Sequence, residues 1–261
     1  MKTFITLLSI LLLIYIALGT FLYIKQRDFI YFPPPAVEHN FQQISFTNQQ
    51  DSYSVETTVL NLARGKDKQN AILYFGGNGE AVDLNANDFS RTFPNQTIYL
   101  VKYRGYSGSA GTATEESLFS DALTVYDTIK TQYQSVTVIG RSLGSGVACY
   151  LASQRPVKKL ALITPFDSAQ SIAQSAYPIF PISLLLKDKY DSVSRAKAIK
   201  AQVLFIIAEH DEIISRNHSN RLIKAFPASQ THVEMIKSDH NSISNQAEYY
   251  KLLNTFAEFA H

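Results

Sequence analysis

The chain has 261 residues, with 24 Lys and Arg against 22 Asp and Glu, a formal net charge of +2. That balance provides no field to hold a polyanion and argues against nucleic acid as a partner, since such binding draws on clustered basic residues. The single cysteine, Cys149, can form neither an internal disulfide nor a Cys-rich zinc site, and no cysteine stands where an N-terminal lipid could be attached. Hydrophobic residues make up 46% and charged residues 18%, a composition that excludes disorder as the main theme.

Phe4 to Ile24 is an uncharged apolar run of 21 residues. At about 1.5 Å per residue it gives a helix of roughly 31 Å, the thickness of a bilayer's hydrocarbon core. Ala17-Leu18-Gly19 would serve as a small-x-small signal cleavage site. The apolar run continues through Phe21, Leu22, Tyr23 and Ile24, however, and the expectation is an uncleaved single-pass anchor in contact with the lipid bilayer. Lys2 on one side and Lys25 and Arg27 on the other, offset by Asp28, do not select an orientation. The domain reading is therefore an anchor over 1–27, a proline-rich linker over 28–40 stiffened by Pro33-Pro34-Pro35, and one catalytic-sized domain over 41–261.

Within that domain, strand-like and helix-like stretches alternate. Strands are expected at Phe41 to Thr47, Tyr53 to Leu62, Ala71 to Phe75, Thr97 to Lys102, Val136 to Ile139, Leu160 to Ile163, Val203 to Ile207 and Thr231 to Ile236. A charged turn is expected at Arg64-Gly65-Lys66-Asp67. Helices are expected at Glu80 to Phe93, Glu115 to Tyr133, after Ser142, and at about Ser244 to Phe259. Short continuous apolar strands interleaved with helices indicate an α/β class with a mostly parallel sheet covered on both faces.

Val138-Ile139-Gly140-Arg141-Ser142-Leu143-Gly144 joins a buried strand to a helix. A serine at such a corner needs tiny neighbours two positions away on either side, and of the 25 serines only Ser142 has them in G-x-S-x-G. Its hydroxyl would stand at the carboxyl end of the sheet, beside a helix N-terminus that favours developing negative charge. Neither G-x-G-x-x-G nor a Walker lysine is present, so the glycines do not read as a phosphate loop.

A serine nucleophile needs a base, and the base needs a carboxylate. Of six histidines, His39 precedes the serine, His261 is terminal, His218 sits in a polar helix start, and His232 lies within a strand. His210 falls among the candidate acids. His240, in the loop after the last strand, is in the position of a base. Asp211, 69 residues after Ser142 and 29 before His240, is the favoured acid, and Asp167, one strand earlier, is the alternative. Glu209, Glu212 and Asp239 read as solvated neighbours. One oxyanion donor is expected from the Leu143 amide and a second from the loop Tyr74-Phe75-Gly76-Gly77-Asn78-Gly79-Glu80.

These stretches, with Phe29 to Pro34, Tyr103-Arg104-Gly105-Tyr106-Ser107-Gly108, Thr164-Pro165-Phe166, Asp188 to Ser192 and His240-Asn241, resemble the α/β-hydrolase superfamily over nearly the whole chain. More narrowly they resemble the small N-terminally anchored branch that includes protein depalmitoylases. The resemblance implies an α/β-hydrolase fold of about eight strands with a short cap, a triad of Ser142, Asp211 and His240, and Asn78 and Leu143 as oxyanion donors. Relatives usually carry His-Gly-Asn in the oxyanion loop, where this chain has Gly76. No role is derived for Tyr103 to Gly108 beyond a shaped turn.

The roughly 40 residues between Ile163 and Val203 form the cap, with apolar Tyr177 to Ile182 and Leu184 to Leu186. The expected reaction is hydrolysis of an acyl ester or thioester of a lipid or acylated protein, held near the membrane by the anchor. No metal or organic cofactor is implied. Two other readings compete: an aminopeptidase-type hydrolase, disfavoured by the small cap, and an anchored hydrolase-like binding protein, disfavoured by the presence of all three triad residues. A dehalogenase would need Asp in place of Ser142.

Overall fold

The computed structural model describes residues 1–60 and 70–258. The expected charged turn at Arg64 to Asp67, the end of the second strand at Asn61 and Leu62, and Phe259 lie outside the described residues. Helix α1 runs over Lys2–Lys25 and continues into a 3-10 turn at Gln26–Phe29; it is long and apolar enough to cross a membrane. The segment from Ile30 to Phe41 has no regular structure but is not a free spacer. Tyr31 is buried, and the Phe32 amide donates to the Asn78 carbonyl at 2.9 Å.

The remaining elements alternate as the apolar pattern predicts. Strands β1 (Gln42–Thr47), β2 (Ser54–Leu60) and β3 (Asn70–Phe75) lead to α2 (Ala86–Thr92), β4 (Thr97–Val101) and α3 (Glu115–Ile129). Strand β5 (Ser135–Arg141), α4 (Leu143–Gln154) and β6 (Lys159–Ile163) follow. The cap region holds α5 (Ala169–Ala176), α6 (Ile182–Leu185) and α7 (Ser192–Ala196), and the chain continues through β7 (Gln202–Ala208), α8 (Arg216–Ala225), β8 (Thr231–Ile236) and α9 (Ala247–Glu258).

Among the described residues the eight strands form one sheet in the order β1-β2-β4-β3-β5-β6-β7-β8. The β1–β2 and β2–β4 pairs are antiparallel, and every pair from β4 through β8 is parallel. Because side chains alternate across a strand, Leu73 and Phe75 of β3 face one core while Ile72 and Tyr74 face the other. Helices α3, α4 and α8 cover the first face; α2 and α9 cover the second. Strands buried on both sides are the reason the sequence reads there as continuous apolar runs.

Strand ends shift by one or two residues from the sequence expectation, and three helix ends differ for identifiable reasons. Helix begins only at Val82, because the Glu80 side chain turns back to accept from the Gly77 amide at 2.8 Å and so holds Glu80 in the loop. Helix α3 ends at Ile129, short of Tyr133, where the Gln132 amide closes a turn on the Ile129 carbonyl before β5 begins at Ser135. The last helix opens as a 3-10 turn at Ile243–Asn245 and becomes α-helical at Ala247. At the start of α3 the sequence supplies its own stop: Thr114 accepts from the Ser117 amide at 3.0 Å, and the Ser117 hydroxyl accepts from the Thr114 amide at 2.9 Å.

Helix α9 is held on the sheet by Tyr249, Leu253 and Ala257. Leu253→Ala would leave a cavity in a side chain that is 1% exposed. The expected loss is about 2–5 kcal/mol, read as a lowered midpoint in denaturant unfolding.

Candidate active site

The register of the sheet brings two loops together. Strands β3 and β5 are parallel neighbours with Phe75 opposite Gly140, so the loop after β3 and the turn after β5 leave the same edge side by side. The turn after β5 is extremely tight. Ser142 has φ 49 and ψ −117, and its amide donates to the Ile163 carbonyl of β6 at 2.9 Å. A Cβ at Gly140 would lie 2.3 Å from the Gly144 carbonyl oxygen, and one at Gly144 would lie 2.1 Å from the Phe75 carbonyl oxygen. Both glycines are therefore required by close backbone approach, as the G-x-S-x-G spacing predicts.

The Ser142 hydroxyl oxygen lies 3.0 Å from His240 Nε2, and His240 Nδ1 lies 2.8 Å from Asp211 Oδ2. All three side chains are nearly buried. The other carboxylate oxygen of Asp211 accepts from the Ile213 and Ile214 amides at 3.0 and 2.7 Å, so the turn after β7 fixes the plane of the group. His240 sits in a loop shaped by Asp239, whose Oδ1 accepts from the Asn241 and Ser242 amides at 2.9 and 2.8 Å. Asp239 thus builds the loop that carries the histidine, a role beyond the solvated neighbour expected of it.

Asp167 lies elsewhere. Its carboxylate is 2.8 Å from His218 Nδ1 and 2.5 Å from Arg221 Nε, in a cluster between the β6–α5 loop and α8. Burial alone would raise its pKa, but the hydrogen bonds from Arg221 and His218 outweigh that and hold the carboxyl below its ordinary value. His218, which reads from sequence as part of a polar helix start, is 5% exposed and faces this carboxylate. His39 lies 3.4 Å from Asp83 and His232 lies 2.6 Å from Glu234, both apart from Ser142. Glu209 and Glu212 are exposed.

The loop after β3 is braced on every side. Glu80 Oε2 accepts from the Gly77 amide, and its Oε1 accepts from the Tyr74 hydroxyl at 2.6 Å and the Asn85 amide group at 2.5 Å. Tyr103 donates to the Gly76 carbonyl at 2.8 Å, and Tyr106 to the Asn78 carbonyl at 2.7 Å. The Tyr103 to Gly108 turn, held by Gly105 at φ 80 and Gly108 at φ 84, therefore supports this loop. A Cβ at Gly76 would lie 2.7 Å from Val82 Cγ1 and 3.2 Å from Glu80 Cδ, so glycine stands there because the Glu80 carboxylate and Val82 occupy the space. Among the described residues the Asn78 and Leu143 amides meet no protein acceptor.

Arg141 completes the brace. Its guanidinium lies 3.4 Å from Glu80 Oε2 and donates to the Asn241 carbonyl at 3.0 Å and the His240 carbonyl at 3.4 Å. Burial opposes its charge, yet Glu80 and the surrounding tyrosine oxygens hold its pKa above the ordinary value. The residue next to Ser142 thus ties the loop after β3 to the loop that carries His240. Sequence reasoning missed both Glu80 and Arg141; the only sign of the pair was an unlike charge in each of two loops already singled out.

A cavity of about 680 Å³ opens from Ser142, His240 and Asn78, lined on its far sides by Phe166, Ile172, Tyr177 and Leu185 of the cap region and by Leu22 and Phe29 of the N-terminal segment. A smaller recess, which also reaches Ser142 and His240, is bounded by Gly77, Glu80, Ala81, Leu84, Asn85 and Arg141. Among the described residues no group of three His, Cys, Asp or Glu side chains is placed to hold a metal ion.

The family model described as Serine hydrolase (FSH1) matches residues 25–249. An uncharacterized protein of Mycobacterium tuberculosis is 34% identical over 149 residues, 56% of this chain and 53% of that protein. Alpha/beta hydrolase domain-containing protein 17C of Xenopus tropicalis is 24% identical over 168 residues, 62% of this chain and 52% of that protein. The chain spans about half the length of the curated relatives it matches. Among solved structures, the esterase Pf2001 of Pyrococcus furiosus superposes with a TM-score of 0.66 at 12% identity, covering 87% of this chain and 96% of that one. A putative hydrolase of Agrobacterium vitis gives 0.63 at 16% identity, covering 84% of this chain and 97% of that one. These structures share the fold, an eight-stranded mostly parallel sheet wrapped by helices, and the match across most of the chain settles its kinship: it belongs to the FSH1 serine hydrolase family, on an α/β-hydrolase fold.

Proposed function

We propose that this hydrolase cleaves acyl esters or thioesters of lipid-like or acylated substrates at a membrane surface, with Ser142 as nucleophile, His240 as base and Asp211 as its orienting carboxylate. The observation that carries the reading is the continuous hydrogen-bonded relay from Ser142 through His240 to Asp211 at the mouth of an apolar cavity. With His240 Nδ1–H donating to Asp211, Nε2 is left as the acceptor of the serine proton. Ser142 Oγ attacks the acyl carbonyl as His240 takes that proton. The resulting oxyanion accepts from the Leu143 and Asn78 amides, each worth on the order of 3 kcal/mol to the transition state. Collapse breaks the bond to the leaving oxygen or sulfur, which receives the proton from His240. Water, deprotonated by the same imidazole, then hydrolyses the acyl-enzyme and returns Ser142 to its hydroxyl form.

The contrast between the apolar cavity and a mixed recess that carries Glu80, Asn85 and Arg141 supports an amphipathic substrate. The acyl chain fits the cavity walled by Ile172, Tyr177 and Leu185, and the leaving group faces Glu80, Asn85 and Arg141. Retention of α1 as an anchor is supported by its contacts with the cap. Tyr15 stacks on Phe180 at 4.8 Å between ring centroids, and in the turn just after the helix Gln26 donates to the Leu185 carbonyl at 3.2 Å and accepts from the Lys187 amide at 2.6 Å. Cleavage near Gly19 would remove Tyr15 and the stack with it.

Labelling by a fluorophosphonate and turnover of a p-nitrophenyl ester series test the reading. Ser142→Ala is expected to abolish labelling, and His240→Ala to lower turnover by several orders of magnitude. Asp211→Asn should cost about 10³- to 10⁴-fold in kcat, whereas Asp167→Asn should leave kcat within about tenfold and lower thermal stability instead. The reverse pattern would reassign the acid. Inactivity of folded protein on every ester and thioester would remove the proposal.

Glu80 is a positioning residue in this scheme. Glu80→Gln keeps the side-chain shape but loses the charge facing Arg141, and is expected to lower kcat about 10-fold or more with KM within about twofold, because the loop it orders acts on the transition state. Steady-state kinetics on one ester checks the split.

A further inference from the structure

The cap carries a feature that the reaction at Ser142 does not require. From Ser168 to Leu186, nineteen residues contain no charged side chain, in a chain where 18% of residues are charged. The run begins after Asp167 and ends at Lys187. Its tip is apolar and open: Ile179 is 70% exposed and Leu184 is 81% exposed. Helix α5 has no buried residue.

The backbone of this tip is irregular, yet its carbonyls find donors in the tip itself, in Gln174 and in α1. Gln174 shares its amide group among the Tyr177, Pro178 and Phe180 carbonyls at 3.4, 3.3 and 3.1 Å. The Ile179 carbonyl accepts from the Tyr15 hydroxyl at 3.0 Å, and the Pro181 carbonyl from the Leu184 amide at 2.9 Å. Every carbonyl from Tyr177 to Pro181 thus has a protein donor, and the two prolines remove two amide donors. A loop in water has no need of such accounting. A loop in hydrocarbon does, since each unsatisfied group there costs several kcal/mol.

The contacts with α1 give the depth. Tyr15 and Gly19 pack on Phe180, and Tyr15 precedes Lys25 by ten residues, about 15 Å along the helix axis. Lys187, at the end of the uncharged run, sits over the Tyr23 ring at 4.6 Å, so the cations of the cap and of the helix end mark one level. With that level at the headgroups, the tip reaches about half-way into a hydrocarbon core of roughly 30 Å.

We propose that the cap tip, residues 177–185, is immersed in one leaflet beside α1, and that the acyl cavity, whose wall includes Leu22 of α1 and Tyr177 and Leu185 of the cap, takes its substrate chain from the hydrocarbon rather than from water. The proposal rests on the reading of α1 as a retained anchor and adds a second membrane-embedded element that belongs to the substrate site. The occupant of the exposed apolar tip is lipid, because the tip packs against α1, the one helix among the described residues long and apolar enough to span a bilayer.

The chain contains no tryptophan, so one introduced indole reports alone. Ile179→Trp, Leu184→Trp and Gln132→Trp would each be made in the full chain and reconstituted in phosphatidylcholine vesicles, with or without bromine on the acyl chains. Gln132 is exposed in the turn after α3, at the amino edge of the sheet opposite Ser142. The expected result is flotation of all three with the vesicles, quenching of the indole at 179 and at 184 to half or less by brominated lipid, and no quenching at 132. Flotation with equal quenching at 179, 184 and 132 overturns immersion while leaving the anchor standing. A blue-shifted, unquenched indole at 179 and 184 places protein against the tip and overturns it as well. Protein that does not float overturns the anchor, and immersion with it.

Discussion

The whole site depends on one close backbone approach. The carbonyl of Phe75, at the end of β3, lies where a Cβ on Gly144 would stand, and the carbonyl of Gly144 lies where a Cβ on Gly140 would stand. Strand β5 and helix α4 can meet at Ser142 with positive φ only because both positions carry a hydrogen in place of a side chain. That approach also seats the loop after β3 against the serine: a Cβ on Gly77 would lie 3.7 Å from Ser142 Cβ. The proposed nucleophile and the proposed oxyanion donors are thereby aligned by the sheet itself, before any side chain takes part.

Side chains then hold what the backbone has set. Where relatives are expected to place a histidine, this chain has a glycine and fills the gap with the Glu80 carboxylate, which bonds the Gly77 amide and faces Arg141. One carboxylate and one guanidinium, both largely withdrawn from water, link the β3 loop, the residue beside Ser142 and the His240 loop. A low-dielectric setting strengthens those bonds and raises the penalty for losing either partner. The two tyrosines of the Tyr103 to Gly108 turn fix the carbonyls of the same loop from outside, and its Asn78 amide meets no acceptor among the described residues.

Much of this was legible in the residues. The double-sided burial of the strands produced apolar runs whose order fixed the class of the fold, and the glycine spacing around Ser142 marked the turn because sterics permit nothing larger. Chain order and loop position brought out Asp211 and His240, which lie hydrogen-bonded to one another. What was hidden depends on long-range pairing. Glu80 reads as the start of a helix, since nothing local shows that its carboxylate turns back to an amide three residues earlier. His218 reads as polar surface because its partner, Asp167, lies 51 residues away. The contact of Tyr15 with Phe180 spans an even longer stretch of chain, and a hydropathy pattern describes each partner without joining them.

The seam between α1 and the cap changes what counts as the enzyme. Leu22, Gln26 and Phe29 are wall residues of the cavity as well as parts of the N-terminal apolar segment. A version trimmed of its leader for easier purification would lack part of the container in which the reaction is proposed to occur. Detergent chosen to keep the intact chain dispersed would compete for the same crevice. The choice of amphiphile therefore becomes a variable of the catalytic measurement itself, with short-chain surfactants acting as ligands and a native-like bilayer disc as the neutral medium.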